Sequence, residues 1–265
     1  MEKRVSEPKS EKIPNNEFRP AEGEVIPAFS IPFLRGKINH LDQESMVNDC
    51  REWVSESKSR HGNDVGKNYT TYFDHDIRNK IFDTEWGNEL TDVLKDTYIK
   101  FINEIYAQPV DYLSRHDVHF FPWVSVYNTP HQHDVHNHVN SYMSGTFYVL
   151  GGRDAQPIKF FSPALMSNFS HNIQNEMIQD QDPQIKWMGS PMVHDEMFFH
   201  PDNGDFLLWP SYLQHMVPPN NHDVRGDYER IAISFNLNHI PHLEDGRNGT
   251  QMSYDFMRPE EQPNE

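Results

Sequence analysis

The chain has 265 residues, with 23 Lys and Arg against 40 Asp and Glu, so its formal net charge is −17. This acidic balance excludes nucleic-acid binding as the main function, because such proteins neutralise phosphates with basic surfaces. The single cysteine, Cys50, allows neither an internal disulfide nor a zinc site of paired cysteines. No apolar run reaches the roughly 18 residues of a membrane span, so we expect no membrane partner.

The N-terminal part of the chain predicts an arm, an extended segment and two helices. Residues 1–22 are polar, charged and rich in Pro and Glu, which predicts a flexible arm. Two prolines interrupt the apolar segment 24–38, which favours extended edge structure. Apolar residues recur at three- and four-residue spacing over about 42–59 and 84–107, which predicts two helices, the second with Thr84 as its N-cap.

From about residue 117 the pattern changes to short aromatic and β-branched runs separated by Gly, Pro and Asn. These runs predict strands over 118–128, 144–150, 157–163, 197–211 and 229–238. The fourth run reads as two strands around an Asn-Gly-Asp turn. Many short strands without long helices between them are typical of a sandwich or barrel.

We therefore expect a mainly β protein with N-terminal supporting helices. Its predicted parts are a single domain over 23–258, helical support over 40–110, a β core over 117–240, an insertion over 164–196 and a disordered tail over 259–265. An insertion of this length inside a compact domain is typical of a lid or substrate loop, or of disorder. The single cysteine fits a reducing compartment, so we expect a cytoplasmic protein, in the host-cell cytoplasm if it is phage-encoded.

Histidines are concentrated in one segment of the chain. Six of the 16 lie between 116 and 138, and two His-x-His pairs occur there. On an extended strand, residues i and i+2 project from one face, so such a pair can place two imidazoles on one metal. On a regular strand, one face would carry Asp134, His136 and His138. The opposite face would carry His131 and His133. A bulge in the strand would change which residues share a face. The alternative to a metal site is a solvated histidine-rich loop.

Two later residues could complete a site. His215 opens a short strand after the buried strand 206–209, where it could close a pocket opposite the first pair. A single buried histidine bonded to the backbone is the other interpretation. Arg230 lies inside the apolar strand 229–238, where a positive charge is costly unless it is paired. A small dicarboxylate inside a barrel would pair with it, whereas an edge strand would expose it to solvent.

Three segments together resemble a known family: HNHVNSYMSGTFYV (136–149), GDFLLWPSYLQHMVPP (204–219) and RIAISFNLN (230–238). They are similar to the iron(II)/2-oxoglutarate-dependent oxygenase superfamily, and more narrowly to the 2OG-Fe(II) oxygenase group common in phage and marine microbial genomes. The pattern of that group is H-x-H-P-x-S-x-x-S-G-x-Y-Y, then G-D-x-x-x-F-P-S-x-x-x-H, then R-I-S-x-x-F-N. The resemblance covers about residues 118–238.

The resemblance implies a double-stranded β-helix, or jelly roll, that binds one Fe(II) and takes 2-oxoglutarate as co-substrate. The catalytic metal ligands that it implies are His136, His138 and His215. Arg230 would bind the far carboxylate of 2-oxoglutarate, with Tyr148 as a second hydrogen-bond donor and Ser234 nearby on the same strand face.

The chain departs from the superfamily pattern at three positions. His138 stands where the superfamily usually has a carboxylate, so a site of three histidines is possible, as is a site of two histidines with an open position, and Asp134 is an alternative ligand. Val139 stands where the narrower group has Pro. Ala232 replaces a Ser, which removes one possible hydroxyl contact to the co-substrate.

The predicted activity is that of a dioxygenase, and more closely a hydroxylase. It would convert 2-oxoglutarate and O₂ to succinate and CO₂ while oxidising a C–H bond of a small molecule or protein side chain. One alternative is a cupin-like metalloenzyme that does not use 2-oxoglutarate and so does not need Arg230. Another is a non-catalytic jelly-roll binding or structural module, with no metal or with metal only at His131 and His133. The sequence does not set the oligomeric state or name the substrate.

Overall fold

The computed structural model describes residues 31–61, 69–106, 116–128, 131–152, 156–163, 196–219 and 229–241. All of them lie in one structural unit that starts at Ile31. The predicted arm 1–22 and the tail 259–265 lie outside the described residues, and so does the insertion 164–196 apart from Glu196. The domain boundaries drawn from the sequence therefore stay predictions.

Among the described residues, three α-helices precede the first long strand. They are α1 (Gln43–His61), α2 (His75–Asn79) and α3 (Glu85–Tyr106), with a 3₁₀ helix (Lys80–Asp83) between the last two. The two predicted long helices are thus confirmed, and Thr84 caps α3 as expected, because its Oγ1 accepts a hydrogen bond from Gly87 N at 3.0 Å. Within the described chain, no helix has the length and apolar character to cross a membrane.

In the part of the chain that the structure describes, ten strands form two antiparallel sheets. The strands are β1 (Leu34–Lys37), β2 (Tyr69–Thr70), β3 (His116–Asn128), β4 (His133–His136), β5 (Met143–Leu150), β6 (Ile158–Phe161), β7 (Glu196–Phe199), β8 (Asp205–Pro210), β9 (His215–Val217) and β10 (Glu229–Pro241). One sheet has the order β1-β8-β5-β10-β3-β2, and the other has the order β4-β9-β6-β7. From β3 onward the chain alternates between the sheets, except that β6 and β7 share one. This alternation is that of a double-stranded β-helix, so the predicted jelly roll is confirmed.

The turn between β7 and β8 differs from the expected hairpin. Both strands form, but β7 pairs with β6 and β8 pairs with β5, so the turn carries the chain from one sheet to the other. Gly204 has φ +80° in this turn, a conformation that favours glycine. Its N–H donates to Tyr148 O at 2.8 Å, which ties the turn to the end of β5. The Asn-Gly-Asp sequence predicted the turn correctly, but it does not decide which strands pair.

The two faces of the large sheet bury different kinds of side chain. The face against the helices is apolar and shares one core with α1 and α3; β10 contributes Ile231, Ile233, Phe235 and Leu237. The opposite face looks into the space between the sheets, where Ala232 and Tyr148 pack with Phe160 of the small sheet. Because strand residues alternate, Arg230, on the same face as Ala232, also points between the sheets.

We predict that Gly145→Ala destabilises the fold by about 1–3 kcal/mol, although Ala normally suits a strand better than Gly. A Cβ at Gly145 would lie 2.4 Å from the buried ring of Phe235 and 2.7 Å from Leu207 O on the neighbouring strand. Free energies of unfolding in urea test this, with Val139→Ala as an exposed control. A loss no larger than that of the control would contradict the packing described for β5.

Candidate metal centre

A bulge in β4 decides which histidines face the interior. His136 pairs with His215 and His133 pairs with Val217, so β4 has one residue more than β9 between the two pairs. As a result His133 lies beside His136, with ring centroids 4.0 Å apart. The faces expected for a regular strand therefore do not apply, and Asp134 is exposed.

Three imidazoles converge between the sheets. Each of His136, His138 and His215 offers one nitrogen, and the three nitrogens lie within 4.8 Å of one another. The Nε2 atoms of His138 and His215 are 3.4 Å apart. The structure thus brings together the three histidines singled out from the sequence, whereas Asp134 is not part of the group that it forms.

Backbone carbonyls fix the tautomers of two of these histidines. His136 Nδ1 donates to Asp134 O at 2.7 Å, and His215 Nδ1 donates to Leu213 O at 3.0 Å. A carbonyl oxygen can only accept, so both Nδ1 atoms carry the proton and both Nε2 atoms have a free lone pair. This arrangement is typical of metal-binding histidines, whose second nitrogen is held by a hydrogen bond.

Burial keeps the three imidazoles neutral. It lowers the pKa of His136 and lowers the pKa of His215 well below its usual value. The pKa of His138 falls to about 4, mainly through burial and further through the neighbouring His136. Neutral imidazole is the form that binds metals, so the site is ready at neutral pH without losing protons.

The three nitrogens fit a divalent transition metal. Imidazole nitrogens bind zinc at about 2.0–2.1 Å, so two of them at adjacent positions on one such ion lie about 3 Å apart. The 3.4 Å between His138 and His215 is close to this spacing. Imidazole suits iron as well, and three protein ligands leave open positions for other molecules.

A cluster of hydroxyl groups holds the loop that carries His138. Ser144 Oγ donates to Asn236 Oδ1 at 2.8 Å and lies 2.8 Å from Ser211 Oγ, which also bonds Ser141 Oγ. The Ser211 backbone accepts from His138 N at 2.9 Å. Three serines of the sequence motifs thus position the loop that carries His138 through one polar network.

Arg230 carries a buried positive charge beside this site. Its side chain is 2% exposed, and its guanidinium lies over the rings of Tyr127 at 4.7 Å and Tyr148 at 5.0 Å. Its single hydrogen bond among the described residues runs from NH2 to Tyr148 OH at 3.4 Å, and Nε and NH1 have no partner there. Buried charges are normally paired, so this geometry favours an anionic ligand.

Tyr127 connects the guanidinium to the histidines, a role that the sequence reasoning missed. Its ring lies beneath Arg230, and its OH is 3.4 Å from His133 Nδ1, while His133 stacks on His136. Burial raises the pKa of Tyr127 to about 12 and also raises the pKa of Tyr148, although Arg230 opposes both shifts. Both phenols therefore stay protonated and can donate hydrogen bonds.

The remaining predicted residues lie farther along the strands. Ser234 faces Trp123 on β3 and Thr146 on β5, four residues along β10 from Arg230. Ala232, which replaces the Ser of the family pattern, is buried against Tyr148. A cavity of about 510 Å³ opens beside His138, between Ile102 and Ile105 of α3 and the loop 137–143.

Comparison with known proteins assigns the central part of the chain. Residues 122–236 match the family model described as "Putative 2OG-Fe(II) oxygenase". These residues form a 2OG-Fe(II) oxygenase domain. The recognition made from the motifs and the oxidoreductase class are confirmed over these residues, and the description of the matched family names the Fe(II) and 2-oxoglutarate that the motifs implied. No curated protein matches the chain.

Several solved structures are similar to the chain at low identity. A Pseudomonas putida prolyl-4-hydroxylase has 13% identity and a TM-score of 0.42, over 79% of this chain and 93% of that one. AviO1 from Streptomyces viridochromogenes has 10% identity and a TM-score of 0.44, over 78% and 90%. HygX from Streptomyces hygroscopicus, with nickel and 2-oxoglutarate bound, has 10% identity and a TM-score of 0.39, over 78% and 82%. Residue roles in this chain rest on its own geometry.

We predict that the metal-free oxygenase loses stability as the pH falls from about 6.5 to about 4. The unfolded chain takes up protons at its histidines below about 6.5, whereas burial holds the folded pKa of His138 near 4. The unfolded state then binds more protons, so stability declines, by up to about 3 kcal/mol from this residue. Urea unfolding in a chelator at several pH values measures the decline.

In the same experiment His138→Gln should give a shallower decline, because glutamine does not titrate. His119→Gln removes an exposed histidine of β3 and serves as the control. Equal slopes for wild type and His138→Gln would show that His138 is not held neutral by burial.

We predict that Ser211→Ala weakens metal binding about tenfold, because outer hydrogen bonds that orient metal ligands typically contribute 10- to 100-fold in affinity. The hydroxyl is the centre of the bonds to Ser141 and Ser144. Co(II) titration followed by visible absorption measures the affinity. Ser57→Ala removes another buried hydroxyl, which bonds Thr70 O away from the histidines, and should leave it unchanged. A similar loss in both variants would point to general destabilisation.

Proposed function

We propose that the protein is an Fe(II)- and 2-oxoglutarate-dependent hydroxylase with His136, His138 and His215 as its metal ligands. The observation that carries the proposal is the buried guanidinium of Arg230, which has no anionic partner among the described residues and is connected to the histidines through Tyr127. A dicarboxylate whose far end pairs with Arg230 satisfies the buried charge and brings its other end toward the histidines.

The residues around the co-substrate would act as follows. Arg230 forms a bidentate pair with the far carboxylate, using the NH1 and Nε groups that are otherwise unbonded. Tyr148 and Tyr127, both kept protonated by burial, donate hydrogen bonds or shield the pair from water. Bound iron supplies the oxidation, in which 2-oxoglutarate and O₂ give succinate and CO₂ while a substrate C–H bond is hydroxylated.

His138 is the third ligand in this proposal. Its Nε2 faces Nε2 of His215, whereas Asp134 is exposed and uses its backbone oxygen to orient His136. Three neutral ligands leave the whole charge of the metal to be balanced by the co-substrate. A cupin-like enzyme without 2-oxoglutarate would share the histidines but would leave the charge of Arg230 unexplained.

The partner and location stay proposals as well. A net charge of −17 disfavours nucleic acid as the substrate, so we infer a small molecule or a protein side chain. We also infer a cytoplasmic location, in agreement with the single, buried cysteine, which forms no disulfide.

We predict that anaerobic addition of Fe(II) and then 2-oxoglutarate to the full chain produces the charge-transfer absorption of an iron–oxoacid pair. His215→Ala should abolish iron binding. Arg230→Met should retain iron but weaken 2-oxoglutarate binding by about 100-fold or more, because a desolvated charge pair typically contributes several kcal/mol. Absence of iron and 2-oxoglutarate binding in the wild type would reject the proposal.

Two controls sharpen this experiment. Arg51→Met removes an exposed arginine that pairs with Glu229, next to Arg230 in sequence, and should leave both affinities unchanged. Arg230→Met should not reduce the stability of the ligand-free protein, since it replaces an unpaired buried charge with an apolar side chain. Comparison of His138→Ala with Asp134→Ala identifies the third ligand: equal retention of iron in both would contradict its assignment to His138.

A further inference from the structure

A chain of aromatic rings runs from the surface to the metal centre. Trp123 lies against His138, with ring centroids 5.6 Å apart. Tyr72 packs edge-on against Trp123 at 5.1 Å and against Phe73 at 5.0 Å. Phe73 is 79% exposed and Tyr72 38%, although both are large apolar rings. These two rings leave faces open to solvent at the outer end of a chain that begins on a proposed metal ligand.

These rings lie on the side of the histidines away from Arg230. Trp123 and Tyr127 are on the same face of β3, four residues apart, which is about 13 Å along a strand. Tyr127 contacts Arg230, whereas Trp123 contacts His138. The co-substrate would fill the end of the interior that contains Arg230. The end of the interior where Trp123 and Tyr72 lie is then left for the substrate.

The charge beside the rings indicates what they can bind. The guanidinium of Arg78 lies 3.9 Å from the ring centroid of Phe121, which in turn packs edge-on against Tyr72 at 5.9 Å. Arg78 NH1 donates to Tyr72 O at 3.0 Å, so this cation is fixed in place. The positive charge of Arg78 would repel a second cation from these rings. Asp74, which acts electrostatically on Arg78, would repel a strongly anionic group. A neutral ligand therefore fits best.

We infer that the substrate presents a neutral, planar ring to Tyr72 and Phe73, and that these residues determine specificity by stacking on it. Stacked or edge-on pairs of aromatic rings gain interaction energy beyond that of the apolar area they bury. A saturated ring gains only the energy of the buried area. The inference rests on the proposed function, because it assigns the substrate class of the same metal site.

Four simple probes test the inference on the full chain: indole and p-cresol as planar neutral rings, cyclohexanol as a saturated ring and tetramethylammonium as a cation. Ligand-observed NMR gives their dissociation constants. We expect the two planar rings to bind at least about fivefold more tightly than the other two, as about 1 kcal/mol of ring contact would give. Tighter binding of tetramethylammonium, or equal binding of cyclohexanol, would overturn the inference.

Substitutions test where on the protein indole binds. Phe73→Ala and Tyr72→Leu should each weaken indole binding about fivefold, and the leucine keeps apolar volume at the position so that the fold is retained. Phe82→Ala is the matched control, because Phe82 is 36% exposed but lies outside the ring chain. Loss of binding in Tyr212→Ala instead would assign the ring to the cavity beside His138 and overturn the inference.

A paramagnetic metal distinguishes a failure of the proposed function from a failure of the ring assignment. Mn(II) bound at the histidines should broaden the resonances of bound indole, and His215→Ala should remove the broadening without changing indole affinity. Failure of Mn(II) and 2-oxoglutarate to bind would reject the proposed function. Normal binding of both, with indole bound but not broadened, would reject only the assignment of the rings to the substrate.

Discussion

The buried charge of Arg230 is the constraint around which the interior of this protein is organised. A guanidinium that is almost fully removed from water must be stabilised by its surroundings or by a ligand. Here two phenol rings cover it, and one of them, Tyr127, also reaches His133, which stacks on His136. The cation and the imidazoles therefore form one connected polar site inside an otherwise apolar fold. The dianionic charge of 2-oxoglutarate matches both halves of that site.

Much of the fold was predictable because its elements are strongly patterned. The apolar stripes of α1 and α3 and the alternation along β10 each extend over enough residues to identify the element. His215 and Arg230 could be singled out for a related reason, since each interrupts an apolar segment with a group that is costly to bury. The order of the motifs then identified the family, and the alternation of strands between the two sheets confirmed the jelly roll.

What could not be predicted depends on register between distant segments. The bulge in β4 follows from its pairing with β9, some 80 residues later in sequence, and it alone decides that His133 lies beside His136 while Asp134 is exposed. The network of Ser141, Ser144, Ser211 and Asn236 joins three separate motifs, and no spacing within one motif reveals it. The separation of β7 and β8 into different sheets has the same origin, because a local turn signal is compatible with either pairing.

The position of β10 in the large sheet also has a consequence for how the protein is made. This strand lies between β3 and β5, yet it is the last of the ten described strands to leave the ribosome. Until it arrives, β3 and β5 each expose an unpaired edge, and the jelly roll cannot close. Long-range pairing of this kind is slow to form and leaves strand edges open to wrong partners in the meantime. Nascent chains that end before β10 would therefore be the species most in need of chaperone protection, and Arg230, the proposed anchor of the co-substrate, would enter the interior in the final step of folding.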